Sequence, residues 1–154
     1  MALRNIVEEG DPVLRKISKE VKEVTPRICD LLDDLVETMR YANGVGLAAP
    51  QVGVLRRVCV VEVDEQVYEL INPVILSKEG DQYDDEGCLS VPGKAGRVHR
   101  PEKVTVSCLN RAGQQVTYEG EGLLARAFCH EMDHLDGILY IDKADDIRYL
   151  DEEE

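Results

Sequence analysis

The stretch Phe128 to Gly137, FCHEMDHLDG, constrains this chain more than any other. Its two histidines stand four residues apart with a glutamate after the first. On a helix that spacing puts both imidazoles on nearly the same face with Glu131 beside them. Such groups are costly to bury unpaired. The pattern therefore predicts a helix from about Gly122 through His134, ended by Gly137, whose polar face holds an ion. A catalytic ion takes three protein ligands and keeps a position open, and this stretch offers two. The bland alternative is a chance pattern on an ordinary helix, with both histidines partly buried.

The rest of the chain reads as one α+β domain over residues 1–154, long enough for one sizeable core. Thr25-Pro26 opens the clearest helix, Thr25 as N-cap and Pro26 at its first position. Ile28, Leu31, Leu32, Leu35, Val36 and Met39 form one stripe, and Gly44 is the expected stop. The block RRVCVVEV (Arg56 to Val63) is β-branched and reads as a strand. VYELINPVIL (Val67 to Leu76) supplies one or two more, with Pro73 marking an edge or a break. A hairpin follows, in which Val104, Val106 and Cys108 alternate toward a core, Asn110 to Gly113 turn, and QQVTYEG returns. Helix, strands, then helix is the order of an α+β fold rather than of repeated βαβ units.

Charge and cysteine usage narrow the function classes. With 31 acidic and 18 basic residues the net charge is -13, which repels phosphate backbones, so no nucleic-acid partner is expected. Arg97, His99, Arg100 and Lys103 read as a solvated hairpin face, and the acidic end 151–154 as a frayed tail. No apolar run approaches a membrane span, and the N-terminus lacks a secretory pattern, so a soluble, cytoplasmic protein is expected. Five cysteines at irregular spacing argue for reduced thiols rather than disulfides.

The third ligand must come from elsewhere. No histidine follows His134, and the glutamates beyond it, Glu152 to Glu154, lie in the tail. Upstream, His99 reads as a surface side chain. Cys29, Cys59 and Cys108 read as small core residues. Cys129 is turned by about 100° from the shared histidine face. Cys88 differs: it lies in DDEGCLSVPG, a turn-rich stretch that can present a thiolate to a helix face.

Three segments, GVGLAAPQ (Gly44 to Gln51), EGCLSVP (Glu86 to Pro92) and HEMDHLDG (His130 to Gly137), together resemble the peptide deformylases of bacteria and organelles. The resemblance covers most of the chain. It implies Cys88, His130 and His134 as metal ligands, Glu131 as acid/base, and Gln51 with the Leu89 backbone N–H as oxyanion donors. It implies removal of the formyl group from N-formylmethionyl nascent peptides by one divalent ion. Fe2+ is the characteristic metal, and Zn2+, Ni2+ or Co2+ can occupy the same site. The implied fold is α+β, with mainly antiparallel sheets packed around the helix that carries the histidines. Two departures stand out. Many members have an arginine or a bulky residue where this chain has Ala95, and the chain ends IRYLDEEE rather than in a long basic helix, so ribosome binding is not carried over.

The chemistry suits these residue types. An ion with an open position lowers the pKa of water, Glu131 can move protons, and amide donors can stabilise a developing oxyanion. Gly44 is expected to end its helix in a left-handed conformation and Gly46 to let a substrate backbone approach. Leu123, Arg126 and Ala127, seven, four and three residues before His130, are expected with Val45 to line a pocket for an unbranched apolar side chain. Arg126 would contribute its stem while its charge reaches solvent. Glu86, two residues before Cys88, is expected to be ion-paired, with Arg100 or Arg97. Three readings compete: a metalloendopeptidase ligated by Glu152, Glu153 or Glu154, a structural Cys-His metal module, and a thiol hydrolase with Cys88 as nucleophile.

Overall fold

A computed structural model describes residues 2–150; the tail expected at 151–154 lies outside the described residues. In chain order the strands and helices are α1 (Pro26–Tyr41), β1 (Gly46–Ala48), β2 (Val58–Val63), β3 (Gln66–Glu79), β4 (Gln82–Cys88), β5 (Val91–Arg100), β6 (Lys103–Leu109), β7 (Gln115–Glu121), α2 (Leu123–Leu135) and β8 (Asp145–Tyr149). Short 3-10 turns occupy Pro12–Arg15, Ala49–Val52 and Tyr140–Asp142. The strands form two sheets with antiparallel pairings, one ordered β1-β2-β3-β6-β7 and the other β4-β5-β8. No helix among the described residues is long and apolar enough to cross a membrane.

The two helices cover opposite faces of the larger sheet. Val58 and Val60 of β2 pack with Leu31, Leu32, Leu35 and Met39 of α1. Cys59 and Val61 face the other way, into a core with Phe128 and Leu135 of α2. Strand residues alternate between faces, so a strand buried on both sides reads as an unbroken β-branched run rather than as an alternation. α2 also touches β5 and so lies between the two sheets. Below the smaller sheet, Val91 and Val98 pack on Leu14, Leu139 and Tyr140.

Local chemistry sets the element ends. Thr25 caps α1 by accepting from the Ile28 N–H at 3.4 Å, and Pro26 is its first residue. The expected left-handed stop at Gly44 falls one residue earlier, on Asn43 at φ 60°. The N–H groups of Asn43 and Gly44 then close on the Arg40 and Met39 carbonyls, a Schellman ending. Gly44 is small for another reason: a Cβ there would meet Leu89 Cδ1 at 2.7 Å. α2 ends in the same motif with Gly137 in the left-handed position, its N–H on His134 and that of Ile138 on Asp133.

Two stretches differ from the sequence reading. Pro73 does not divide two strands but marks a bulge inside β3, where register shifts between Ile71 and Val74 and β3 passes from pairing with β2 to pairing with β6. Asn72, at φ 53°, holds that bend by bonding both backbone groups of Val21. The stretch Asp84 to Gly93, read as turn-rich, and the residues Arg97, His99 and Arg100, read as part of a solvated hairpin face, lie in the β4–β5 hairpin. Its strands lack an apolar alternation because buried inward positions are taken by Glu86, Gly96 and Arg100. Arg97 and His99 are exposed as expected, but Arg100 is buried and ion-paired.

Gly137 anchors α2 against the N-terminal segment, since a Cβ there would lie 2.6 Å from the Arg15 carbonyl oxygen. Gly137→Ala combines that clash with a left-handed φ of 75°. It is expected to cost about 1–3 kcal/mol, read as a lower urea midpoint with an unchanged m-value.

Candidate metal centre

The pairing of β4 with β5 brings Cys88, the last residue of β4, to the turn that leads into β5 at Val91. There its sulfur lies 3.4 Å from His134 Nε2. Ligand atoms of Cys88, His130 and His134 all fall within 4.8 Å of one another. The two imidazoles come from one face of α2, with ring centroids 5.1 Å apart. Cys129, on the same helix, is buried in the apolar core instead, and burial raises its thiol pKa. Cys59 and Cys108 are core residues too, while Cys29 is half-buried and packs its sulfur 3.8 Å from the Arg111 carbonyl.

Glu86 orients the first imidazole. Its Oε1 lies 2.9 Å from His130 Nδ1, which leaves Nε2 as the free ring nitrogen. The same carboxylate accepts from Arg100 Nε and Nη2 at 2.8 and 3.0 Å and from Arg126 Nη1 at 2.6 Å. Arg100 also donates to Asp133 at 2.8 Å. The expected pairing of Glu86 thus falls to Arg100, joined by Arg126, while Arg97 sits 3.8 Å from Asp85. Burial alone would raise the Glu86 pKa, but the hydrogen bonds with His130 and Arg100 outweigh it and hold the carboxyl down to about 2. Burial, reinforced by His130, keeps His134 well below the usual histidine range, in the neutral form that can ligate.

Glu131 is buried beside this cluster. Its Oε1 has no hydrogen-bond partner among the described residues, and burial pushes the carboxyl up to about 7, with Glu86 adding to the rise and His130 opposing it. The opposite wall is Gly46, where a Cβ would stand 2.5 Å from Glu131 Oε2. The space expected for a substrate backbone at Gly46 is therefore already shared with the carboxylate. A buried carboxylate without a donor, next to a thiol and two imidazoles, fits a divalent cation and its water.

Gln51 is buried rather than an exposed loop amide. Its Oε1 accepts from the Ala48 N–H at 3.0 Å, and Nε2 donates to Ser90 Oγ at 3.0 Å while lying 3.7 Å from Cys88 Sγ. The Ser90 N–H approaches the same sulfur at 3.4 Å. Ser90 escaped the sequence reading because a serine after a turn cysteine carries no signal of its own. Leu89 lies between them and faces the cleft.

The cleft beside these groups has a volume of about 450 Å3. Val45, Gly46, Leu123, Arg126 and Ala127 all line it, with Val45 and Leu123 exposed at its mouth. The expectation for Arg126 is corrected in one respect: its charge does not reach solvent. The guanidinium is buried on Glu86 and on Gln82 Oε1 at 3.2 Å, because Glu86 has a second acceptor face to fill. His99 is exposed as expected but not isolated, stacking on Tyr83 at 4.2 Å and reaching Asp81 at 3.0 Å. Ala95 sits on β5 opposite Arg148 of β8.

Glu86→Gln removes the carboxylate that Arg100, Arg126 and His130 share. Metal affinity is expected to fall roughly 10–100-fold, measured by competition with a chromophoric chelator. Because the folded pKa of Glu86 is lowered, its stabilising effect is present above the unfolded value of 4.5 and fades as pH falls toward about 2. The stability gap between parent and Glu86→Gln should therefore be wide at pH 6 and should close over that acidic window.

Comparison with known proteins points the same way. The family model described as polypeptide deformylase matches residues 3–149. The peptide deformylase of Acetivibrio thermocellus is 60% identical over 154 residues, covering 100% of this chain and 89% of that protein. That of Agathobacter rectalis is 54% identical over 158 residues, covering 100% of each. Among solved structures, peptide deformylase from Thermotoga maritima superposes with a TM-score of 0.91 at 39% identity, covering 94% of this chain and 99% of that one. A peptide deformylase from Synechococcus elongatus in complex with actinonin gives 0.90 at 38% identity, covering 93% and 79%.

Proposed function

The chain belongs to the polypeptide deformylase family, and we propose that its own residues divide the work of that reaction as follows. The protein is a metal-dependent hydrolase that removes the N-formyl group from N-formylmethionyl nascent polypeptides and releases formate. The observation that carries the assignment of roles is the meeting of Cys88, His130 and His134 ligand atoms within 4.8 Å, beside the buried carboxylate of Glu131.

Cys88, His130 and His134 hold one divalent ion. Bound there, the ion supplies Lewis-acid chemistry and makes water acidic near neutral pH. Ferrous iron is the native metal in this reading, and one thiolate with two imidazoles also accepts zinc, nickel or cobalt. Glu131 takes the proton of the attacking water on its free Oε1 and returns it to the amine nitrogen as the C–N bond breaks. Gln51 Nε2 and the Leu89 backbone N–H donate to the formyl oxygen as it gains charge. Val45, Leu123, Ala127 and the stem of Arg126 receive the methionine side chain. The substrate is a nascent peptide, so the protein works in the cytoplasm, and nothing in this reading requires nucleic acid, a membrane or ribosome contact.

The 3.4 Å contact between Cys88 Sγ and His134 Nε2 would also serve a thiol nucleophile and its base. The two chemistries separate on metal removal. Formate release from a formyl-methionyl peptide, measured anaerobically, is expected to vanish on chelation and to return with ferrous, nickel or zinc ions. Activity that survived complete chelation would sink the metal reading, and so would the absence of formate under all three loadings. Glu131→Ala should keep bound metal while losing at least about a hundredfold in turnover.

Gly46→Ala is a second probe of the same carboxylate. Its new Cβ must displace Glu131 Oε2, so turnover should fall roughly tenfold or more while metal content by mass spectrometry stays at the parent level.

A further inference from the structure

The catalytic cleft extends past the metal-binding residues to a rim that includes Leu150, just beyond the end of β8. Leu150 follows β8, donates its N–H to the Gly93 carbonyl at 2.8 Å, and lines the cleft with Leu89 and Pro92. It is about half exposed, although it is fixed by this bond and by the pairing of Tyr149 with Lys94 and Arg148 with Ala95. A half-exposed leucine whose backbone is bonded in place at the end of a binding cleft has apolar surface to lose on contact with a ligand.

The charges around this rim are already matched. Lys94 donates to Glu9 at 2.9 Å, and its ammonium lies 5.4 Å from the centre of the Tyr149 ring. Asp85 faces Arg97 at 3.8 Å and contacts the Arg148 guanidinium more closely. No unpaired cation remains among these described groups to attract an acidic side chain, and the side chains of Leu89, Pro92 and Leu150 are apolar. The ring of Tyr149, by contrast, is spent on Lys94 and does not line the cleft.

We infer that Leu150 is a specificity determinant for the peptide beyond its first residue: it packs on an apolar side chain at one of the next two positions and disfavours an acidic one. This rests on the deformylase reading. A peptide anchored by its first residue at the metal runs on at about 3.3 Å per residue, and its next side chains pass along the cleft that Leu150 lines together with Cys88 and His130.

The test is kcat/KM for formate release from two series of amidated peptides, formyl-Met-X-Ala and formyl-Met-Ala-X, with X either Leu or Asp. The ferrous parent protein is expected to favour Leu over Asp roughly fivefold or more in one series. Leu150→Ala should at least halve that ratio, and Tyr149→Ala should retain it. Because each ratio is taken within one protein, loss of active fraction cancels. Equal ratios in the parent, an unchanged ratio in Leu150→Ala, or an equal fall in Tyr149→Ala would each overturn the assignment to Leu150. No formate from any of the peptides would instead sink the deformylase reading, and this inference with it.

Discussion

The carboxylate of Glu86 is the joint on which the rest of the site turns. It ties the β4–β5 hairpin to α2 by accepting from Arg100 on β5 and from Arg126 and His130 on α2. Four ionisable groups buried together are not an efficient source of stability, since desolvating each ion costs several kcal/mol. What they provide is position. An apolar contact tolerates sliding, whereas a carboxylate sharing two oxygens among three donors fixes the hairpin along the helix axis and around it. Cys88 lies two residues farther along that hairpin, so the register of Glu86 sets where the sulfur meets His134.

Position of this kind needs a helix that does not move. α2 is held on the larger sheet by Phe128 and Leu135, on the smaller sheet through Glu86, and at its end by Gly137 against the Arg15 backbone. The face toward the metal is the polar one, and the face opposite carries Cys129 and Phe128 into the apolar core. A single helix thus separates a hydrophobic core from a buried polar site. That explains why Cys129, adjacent to His130 in sequence, belongs to the core.

Much of this was legible because the groups that carry chemistry also carry local structure. The histidine spacing is a helix spacing, Thr25-Pro26 is a helix start, and the alternation of Val104, Val106 and Cys108 is a strand. Strand β4 and its pairing with β5 were not legible. The hairpin's buried positions hold Glu86, Gly96 and Arg100, which follow ion pairing and close packing rather than hydrophobicity. The same cause misled the reading of Arg126: helical geometry placed it on the metal side, but only the tertiary fold could bring Glu86 to its guanidinium. Asn43 taking the left-handed position before Gly44 is a subtler case, since asparagine tolerates that conformation and the glycine was needed to admit Leu89.

The environment of the Cys88 sulfur links this framework to turnover. The Ser90 N–H at 3.4 Å and the Gln51 amide at 3.7 Å both direct hydrogens at it and so fix where the sulfur sits relative to His134. The Gln51 side chain is itself oriented at both ends, by the Ala48 N–H on its oxygen and Ser90 Oγ on its nitrogen. Of the two hydrogens on Nε2, one is committed to a 3.0 Å bond and the other only to a long contact with sulfur. The second is the cheaper to redirect. In the role proposed for Gln51, a substrate oxygen gaining negative charge would draw that hydrogen without disturbing the bonds that hold the amide in place.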